Sequence, residues 1–198
     1  MQQLKINGTM ADVYLTSPSE QQLNKLKTLS YIKTIGLQSK VGNVVKTPEM
    51  GDLSLALLWY DSTEWTEMRK PVIDGLKGKY PEKDNEIAVP LWILQSMGMD
   101  DPQIGMSLPF TYSVTRDGVK SQESNNFILS GWFTDYSHAR TGNTGAMLVS
   151  GAFAEAHGVD LGNPKMPLFY LMRKTRMNLS HVCNRIFLWK KSKARTCF

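Results

Sequence analysis

The sequence predicts an α+β domain, a mixed sheet with short helices that has room for two small lobes. Three observations point there. Strand-length apolar or β-branched stretches recur along the chain, the longest apolar run being Leu55 to Tyr60. Helical stretches of two or three turns, marked by capping residues, alternate with them. Hydrophobic residues make up 41% and aromatic residues 10%, a composition that builds a core and argues against disorder.

The elements follow in order. Ala11 to Leu15 reads as a short strand. Ser17 is the expected N-cap of a helix, with Pro18 in its first position and Glu20 at capping-box spacing. Leu23, Leu26 and Leu29 give that helix one apolar face, and it ends near Thr28. Tyr31 to Lys46 is β-branched and interrupted by Gly36 and Gly42, which predicts one long bent strand or two short ones. Ser54 to Tyr60 is a buried strand, and Asp61 to Met68 a short helix. Gly75, Gly78 and Pro81 punctuate a turn region. A strand at Glu86 to Val89 then leads through Pro90 into a helix, Leu91 to Met97, with Gly98 suited to its C-terminal cap. Ser107 to Val114 and Asn126 to Phe133 pair as a hairpin with a long tip near Arg116-Asp117-Gly118. Thr134 to Gly145 is a polar loop. Ala146 to Val149 is a strand, and Ser150 caps a helix reaching His157.

Charge divides the chain unevenly. Eight of the 23 Lys and Arg residues lie in 173–198 and none of the 18 acids does, so residues 1–172 carry 15 bases against 18 acids. The domain is accordingly placed at 1–172 and a basic tail at 173–198. No stretch approaches the roughly 18 apolar residues of a membrane span, and the opening residues lack a signal-peptide core, so the expectation is a soluble chain as given. Cys183 and Cys197 are too few for a disulfide framework or a four-ligand zinc site.

Residues with chemical potential are few. His138, His157 and His181 do not have metal-ligand spacing on one element. Asp135, Ser137 and His138 are the triad residue types on one loop, but triads are assembled from separate elements, so a solvated loop is expected. His157 falls at a helix end, where a cation meets the C-terminal dipole and a structural role is expected. Thr141 to Gly145 is glycine-containing but lacks the lysine and the strand-to-helix setting of a phosphate loop. The carboxylates Glu82, Asp84 and Glu86, and Asp100 with Asp101, border turns and helix ends, where solvated charge is normal. Trp59, Tyr60, Trp65, Trp92 and Trp132 sit where core packing is the default. Met97, Met99 and Met106 suit either an adaptable groove or ordinary filling. No catalytic, cofactor or metal residue is assigned, no cofactor is expected, and the chain is not expected to be an enzyme.

One ordered series of segments carries a resemblance. It comprises Gly78-x-Tyr80-Pro81, then Asn85-Glu86-Ile87-Ala88-Val89, a helix ending at Met97-Gly98, and Ile104-Gly105 ahead of an apolar strand. Phe127-Ile128-Leu129-Ser130-Gly131 and Val149-Ser150 with Phe153 complete it. Over roughly residues 10–160 the chain resembles the extracytoplasmic, MacB-like periplasmic core domain of FtsX-like ABC transporter permeases. The residues of the series have fold-forming roles. Ile87 and Val89 face a core, Glu86 marks the strand's start, Gly98 closes a helix, Gly105 lets the chain bend, and Gly131 permits a bulge or close approach. No functional residue transfers with them.

The resemblance implies a non-catalytic domain at the extracytoplasmic face of the cell membrane, set between two transmembrane helices absent from this sequence. Its implied role is coupling helix movement to binding outside, in transport or efflux. The implied partners are a cytoplasmic ABC ATPase reached through those helices, a second permease copy or domain, and an extracytoplasmic protein or peptide substrate. No nucleic acid is expected. The chain would be an excised domain or the product of a fragmentary gene. The two chain ends should then lie side by side, because both enter the membrane. Back-translation of Met172 to Leu179 one base earlier can yield an acidic segment, so the tail is read as frame-shifted or disordered. Two alternatives stay open, a soluble α+β enzyme with an unrecognised site and a module whose basic tail binds nucleic acid or an anionic surface.

Overall fold

The computed structural model describes residues 2–116, 118–162 and 166–171, the last six as backbone. Its helices are α1 (Gln2–Asn7), α2 (Glu20–Lys27), α3 (Leu91–Ser96), α4 (His138–Thr141) and α5 (Gly151–Ala156). Its strands are β1 (Val13–Tyr14), β2 (Ile32–Val44), β3 (Ser54–Tyr60), β4 (Asp74–Gly78), β5 (Glu86–Pro90), β6 (Ser107–Arg116), β7 (Val119–Thr134), β8 (Thr144–Val149) and β9 (Met166–Leu171). The nine strands form one mixed sheet, so the expected α+β class holds. The basic tail with His181, Cys183 and Cys197, and what was expected of it, lies outside the described residues.

The pairing closes on itself. β2 pairs β3, β3 runs parallel to β8, and β8 pairs β5. β5 then runs parallel to β7, β7 pairs β6, and β6 returns to the far half of β2 through Gly42, Asn43 and Val44. Strands alternate their side chains, so each member of this ring sends every second residue inward. Leu55, Leu57 and Trp59 of β3 meet Ile87 and Val89 of β5, Phe127 and Leu129 of β7, and Met147 and Val149 of β8. Ile93 and Leu94 of α3 and Phe153 and Ala154 of α5 complete that core. Met97, Met99 and Met106 pack against it partly buried, so they act as filling.

β2 is one bent strand. Its first half, Ile32 to Gln38, pairs with β9, and β1 adds beyond β9. There α2 covers a separate cluster of Leu15, Leu23 and Leu26. This end of the same sheet is joined to the ring by β2 itself. Its helix starts later than expected. Ser19, not Ser17, is the N-cap, and Gln22, not Glu20, completes the capping box. Ser17 instead takes a positive φ of 50°.

Other boundaries shift as well. The hairpin is longer than the alternation indicated, because β6 and β7 stay paired from Ser107–Ile128 out to Arg116–Val119. The region of Gly75 and Gly78 contains β4, an edge strand on β7, although its glycines read as a turn. The expected helix at Asp61–Met68 is a wider π-helical turn over Glu64–Arg69. The loop before β8 holds the single turn α4. α1 was not expected at all.

Four segments of the resemblance meet at one node: Gly78 to Pro81, Asn85 to Val89, Phe127 to Gly131 and Val149. Ser130 is an extra residue in β7, since Ile87 pairs with Leu129 while Ala88 pairs with Gly131. At this bulge the Ser130 hydroxyl donates to the carbonyls of Ile87 (3.1 Å) and Lys79 (3.3 Å). Lys79 N–H donates back to the Ser130 carbonyl at 2.9 Å. The approach requires glycine twice. A Cβ on Gly78 (φ +73°) would lie 2.1 Å from the Ser130 carbonyl oxygen, and one on Gly131 would lie 2.5 Å from that of Lys79. The next residue, Tyr80, accepts the Tyr60 N–H at 2.8 Å, and the carbonyls of Tyr60 (3.1 Å) and Val149 (3.2 Å) share its one proton. Burial pushes that phenol far above its ordinary range. The Glu86 carboxylate accepts the N–H groups of Glu82 (2.8 Å) and Lys83 (3.1 Å), closing the turn into β5.

Two tests follow from this node. Gly131→Ala places a methyl against fixed backbone on Lys79 and Lys77, and the expected loss is about 2 kcal/mol in urea unfolding; an unchanged midpoint contradicts the close approach. Burial raises the Glu86 carboxyl, but the two N–H donors and Lys79 and Lys83 outweigh it and hold the group below its usual value. A lowered carboxyl stabilises the fold above its unfolded pKa and loses that stabilisation as pH falls through the folded one. The wild type should therefore lose stability faster than Glu86→Gln on acidification below roughly pH 4.3, read from unfolding midpoints across pH.

Candidate ligand cleft

The outward residues of β3 are Ala56, Leu58 and Tyr60. Those of β8 are Ala146 and Leu148. Parallel register sets Ala56 beside Ala146 and Leu58 beside Leu148. The alanine pair makes a low floor and the leucine pair a step. Over them opens a cleft of about 310 Å³, walled by Trp65 and Phe133 and reached by Arg69, Gln38, Asp135 and Ser137. Trp65 is buried, with its ring 5.8 Å from Phe133 and 5.1 Å from Tyr80. The Tyr80 node thus supports the aromatic wall from behind.

The π-helical turn places Arg69 in this wall. The Lys70 N–H reaches back five residues to the Trp65 carbonyl, and the same five-residue spacing brings Arg69 onto Glu64. Arg69 Nε donates to Glu64 Oε1 at 2.5 Å. Its Nη1 donates to the Gly8 carbonyl at 2.9 Å and its Nη2 to Gln38 Oε1 at 3.0 Å. The guanidinium also lies 4.8 Å over the Tyr60 ring. One side chain therefore joins the segment after α1, β2, the end of β3 and its own turn.

Glu64 is fully buried, and among the described residues its Oε2 has no hydrogen-bond partner. That oxygen lies against Gly36, where a Cβ would stand 2.4 Å away, which explains a glycine inside β2. Burial raises the Glu64 carboxyl above its ordinary value, with the Arg69 charge and hydrogen bond opposing and Asp61 reinforcing the rise. Asp61 is raised too, by burial, against the backbone N–H groups of Glu64, Leu37 and Thr63.

The other rim comes from the segment before β8. The Ser137 hydroxyl donates to Asp135 Oδ2 at 2.6 Å, and its N–H donates to Oδ1 at 2.9 Å. The His138 ring turns elsewhere. Its Nδ1 lies 2.8 Å from the Asp135 carbonyl, and the ring stacks on Trp92 with centroids 5.3 Å apart. Asp135, Ser137 and His138 are therefore close, yet they do not form the relay their residue types permit. Thr141 to Gly145 runs from α4 into β8, the reverse of a phosphate loop's direction.

Of the remaining candidates, Asp84, Asp100 and Asp101 are exposed, and others have structural partners. His157 is the C-cap of α5. Its Nδ1 lies 2.6 Å from the Phe153 carbonyl, and its Nε2 lies 3.2 Å from both the Glu123 carboxylate and the Tyr112 hydroxyl. Glu82 pairs with Lys79, and Glu86 holds its own turn. Trp59 is core, and Trp92 and Trp132 pack against the core partly buried.

Arg69, Gln38, Ala56, Ala146 and the role of Gly36 were not found from sequence. Their signals were weak: an alanine inside the run Leu55 to Tyr60, and a Glu–Arg pair five apart, a spacing that ordinary helix periodicity does not bring together. Arg69→Met leaves Glu64 buried without its counter-charge, and the expected loss is about 3 kcal/mol in denaturant unfolding. The double variant with Glu64→Met should recover part of that loss. Equal losses in the single and double variants would contradict the pairing.

Comparison of the chain with protein-family models finds no match, and comparison with curated proteins finds none either. Among solved structures it is similar to the periplasmic region of MacB from Actinobacillus actinomycetemcomitans, with a TM-score of 0.48 and 11% identity, over 87% of this chain and 72% of that one.

Proposed function

We propose that the chain is a non-catalytic extracytoplasmic domain of an ABC transporter permease of the FtsX/MacB type, coupling the movement of membrane helices to binding outside the membrane. The observation that carries this reading is the pairing of β1 with β9. The first and last described strands are antiparallel neighbours, with Val13 opposite Phe169 and Tyr14 opposite Leu168. A domain inserted between two membrane helices needs its incoming and outgoing strands together. The reading takes β1 as the point of entrance; α1, ahead of it in the chain, packs against α4. Part of the ordered series of the resemblance supports it further, because Gly78 to Tyr80, Glu86 to Val89, Ser130-Gly131 and Val149 come together in the node around Ser130 and Tyr80.

In this reading the work is done by shape and docking, with nucleotide hydrolysed by a separate ATPase in the cytoplasm. A second permease copy and an extracytoplasmic protein or peptide are the partners. Among the described residues no helix is long and apolar enough to cross a membrane, so spanning helices would have to be encoded outside them. The coding DNA tests this directly. The expected result is membrane-spanning segments in frame around the domain, with an ABC ATPase gene adjoining. A locus with neither overturns the proposal.

A further inference from the structure

The cleft has a charge imbalance that its shape makes meaningful. Its charged residues are Arg69 and Asp135. Arg69 is matched by the Glu64 carboxylate at 2.5 Å. Asp135 receives only neutral donors, the Ser137 N–H and hydroxyl, and among the described residues no cation pairs with it. The cleft therefore carries one uncompensated negative charge at its lip, above an apolar floor of Ala56, Ala146, Leu58 and Leu148 and beside the rings of Trp65 and Phe133.

We propose that this cleft binds an amphipathic amine, a ligand with a compact apolar body and one protonated nitrogen. The body would lie on the alanine floor, in a volume at the lower end of the roughly 300–1,000 Å³ usual for small-molecule sites. The nitrogen would meet Asp135, whose second lone pairs remain after Ser137 is served. Aromatic walls favour a cation as well. A carboxylate ligand would face Asp135 with no cation left unmatched, and a neutral one would leave that charge without a partner. Two features show that the floor's space is built in. The alanines face each other in register on adjacent central strands, where larger side chains are the rule, and the five-residue π turn holds Trp65 and Arg69 to the side rather than over them.

The test compares hexylammonium, 1-hexanol and hexanoate, titrated by NMR chemical-shift changes in the purified chain. It is independent of the permease reading, because it concerns the cleft alone and not the genetic locus. The amine should bind about tenfold more tightly than the alcohol, as one charge-assisted contact provides, and hexanoate should bind most weakly. Asp135→Asn should erase the difference between amine and alcohol. Ala56→Leu should abolish binding of both while the circular dichroism spectrum stays that of the wild type; Ala146→Val provides the same block from the other strand if the first variant does not fold. Absence of amine binding, hexanoate binding as tight as the amine's, or undiminished binding in the folded floor variants would overturn the proposal.

Discussion

The Arg69 guanidinium is the interaction on which the cleft depends. A buried ion pair is a poor source of net stability, because removing two charges from water costs about what their attraction returns. Its value is geometric. With Glu64 at one nitrogen, the Gly8 carbonyl at another and Gln38 at the third, Arg69 can satisfy its fork in one arrangement of three chain segments. That arrangement holds the π turn aside from Ala56 and Ala146. The orphaned Glu64 oxygen against Gly36 shows how little slack remains.

The closed ring of strands explains why the binding surface lies outside it. Phe127, Leu57, Ile87, Leu129 and Met147 fill the interior with no exposed surface, and α3 and α5 contribute to the same core. A cavity there would cost dispersion contacts and apolar burial. The outer face of β3 and β8 is under no such demand. It is covered at one end by Tyr80 and Trp65 and left low at the other by two alanines. Function is grafted on the side of the sheet where packing leaves choice.

The elements legible in the sequence are those whose signals are local. β5, α3, the β6–β7 hairpin and the Ser150 cap follow from alternation, caps and glycine, all of which act over a few residues. β4 was missed because Asp74-Gly75-Leu76-Lys77-Gly78 has turn composition, and only the long partner β7 makes it a strand. The π turn reads in sequence as an ordinary helix because the side-chain pair that accompanies it, Arg69 on Glu64, is held by Gln38 and Gly8 from distant parts of the chain. The cleft was hidden for the same reason. Ala56 and Ala146 are unremarked small residues until parallel pairing, 90 positions apart in sequence, sets them side by side. The recognisable motif, by contrast, lies in the node and the core that build the fold. It speaks for architecture and leaves chemistry to residues outside it.

The walls of the cleft differ in how they are held, and this bears on how such a domain would act as a lever. The floor belongs to two central strands. One end belongs to the segment after α1, which is tied by separable polar contacts: Gly8 to Arg69, the Met10 N–H to the Met68 carbonyl, and Lys5 to Asp74, whose carboxylate also accepts the Tyr136 hydroxyl. Breaking such contacts one at a time costs far less than parting β3 from β8. On the proposed reading, a pull on the chain ahead of β1 would therefore move the Gly8 end first and leave the floor in place. Any ligand that touches both parts would then feel the pull as a change in affinity, and by linkage its binding would bias the same movement by an equal free energy.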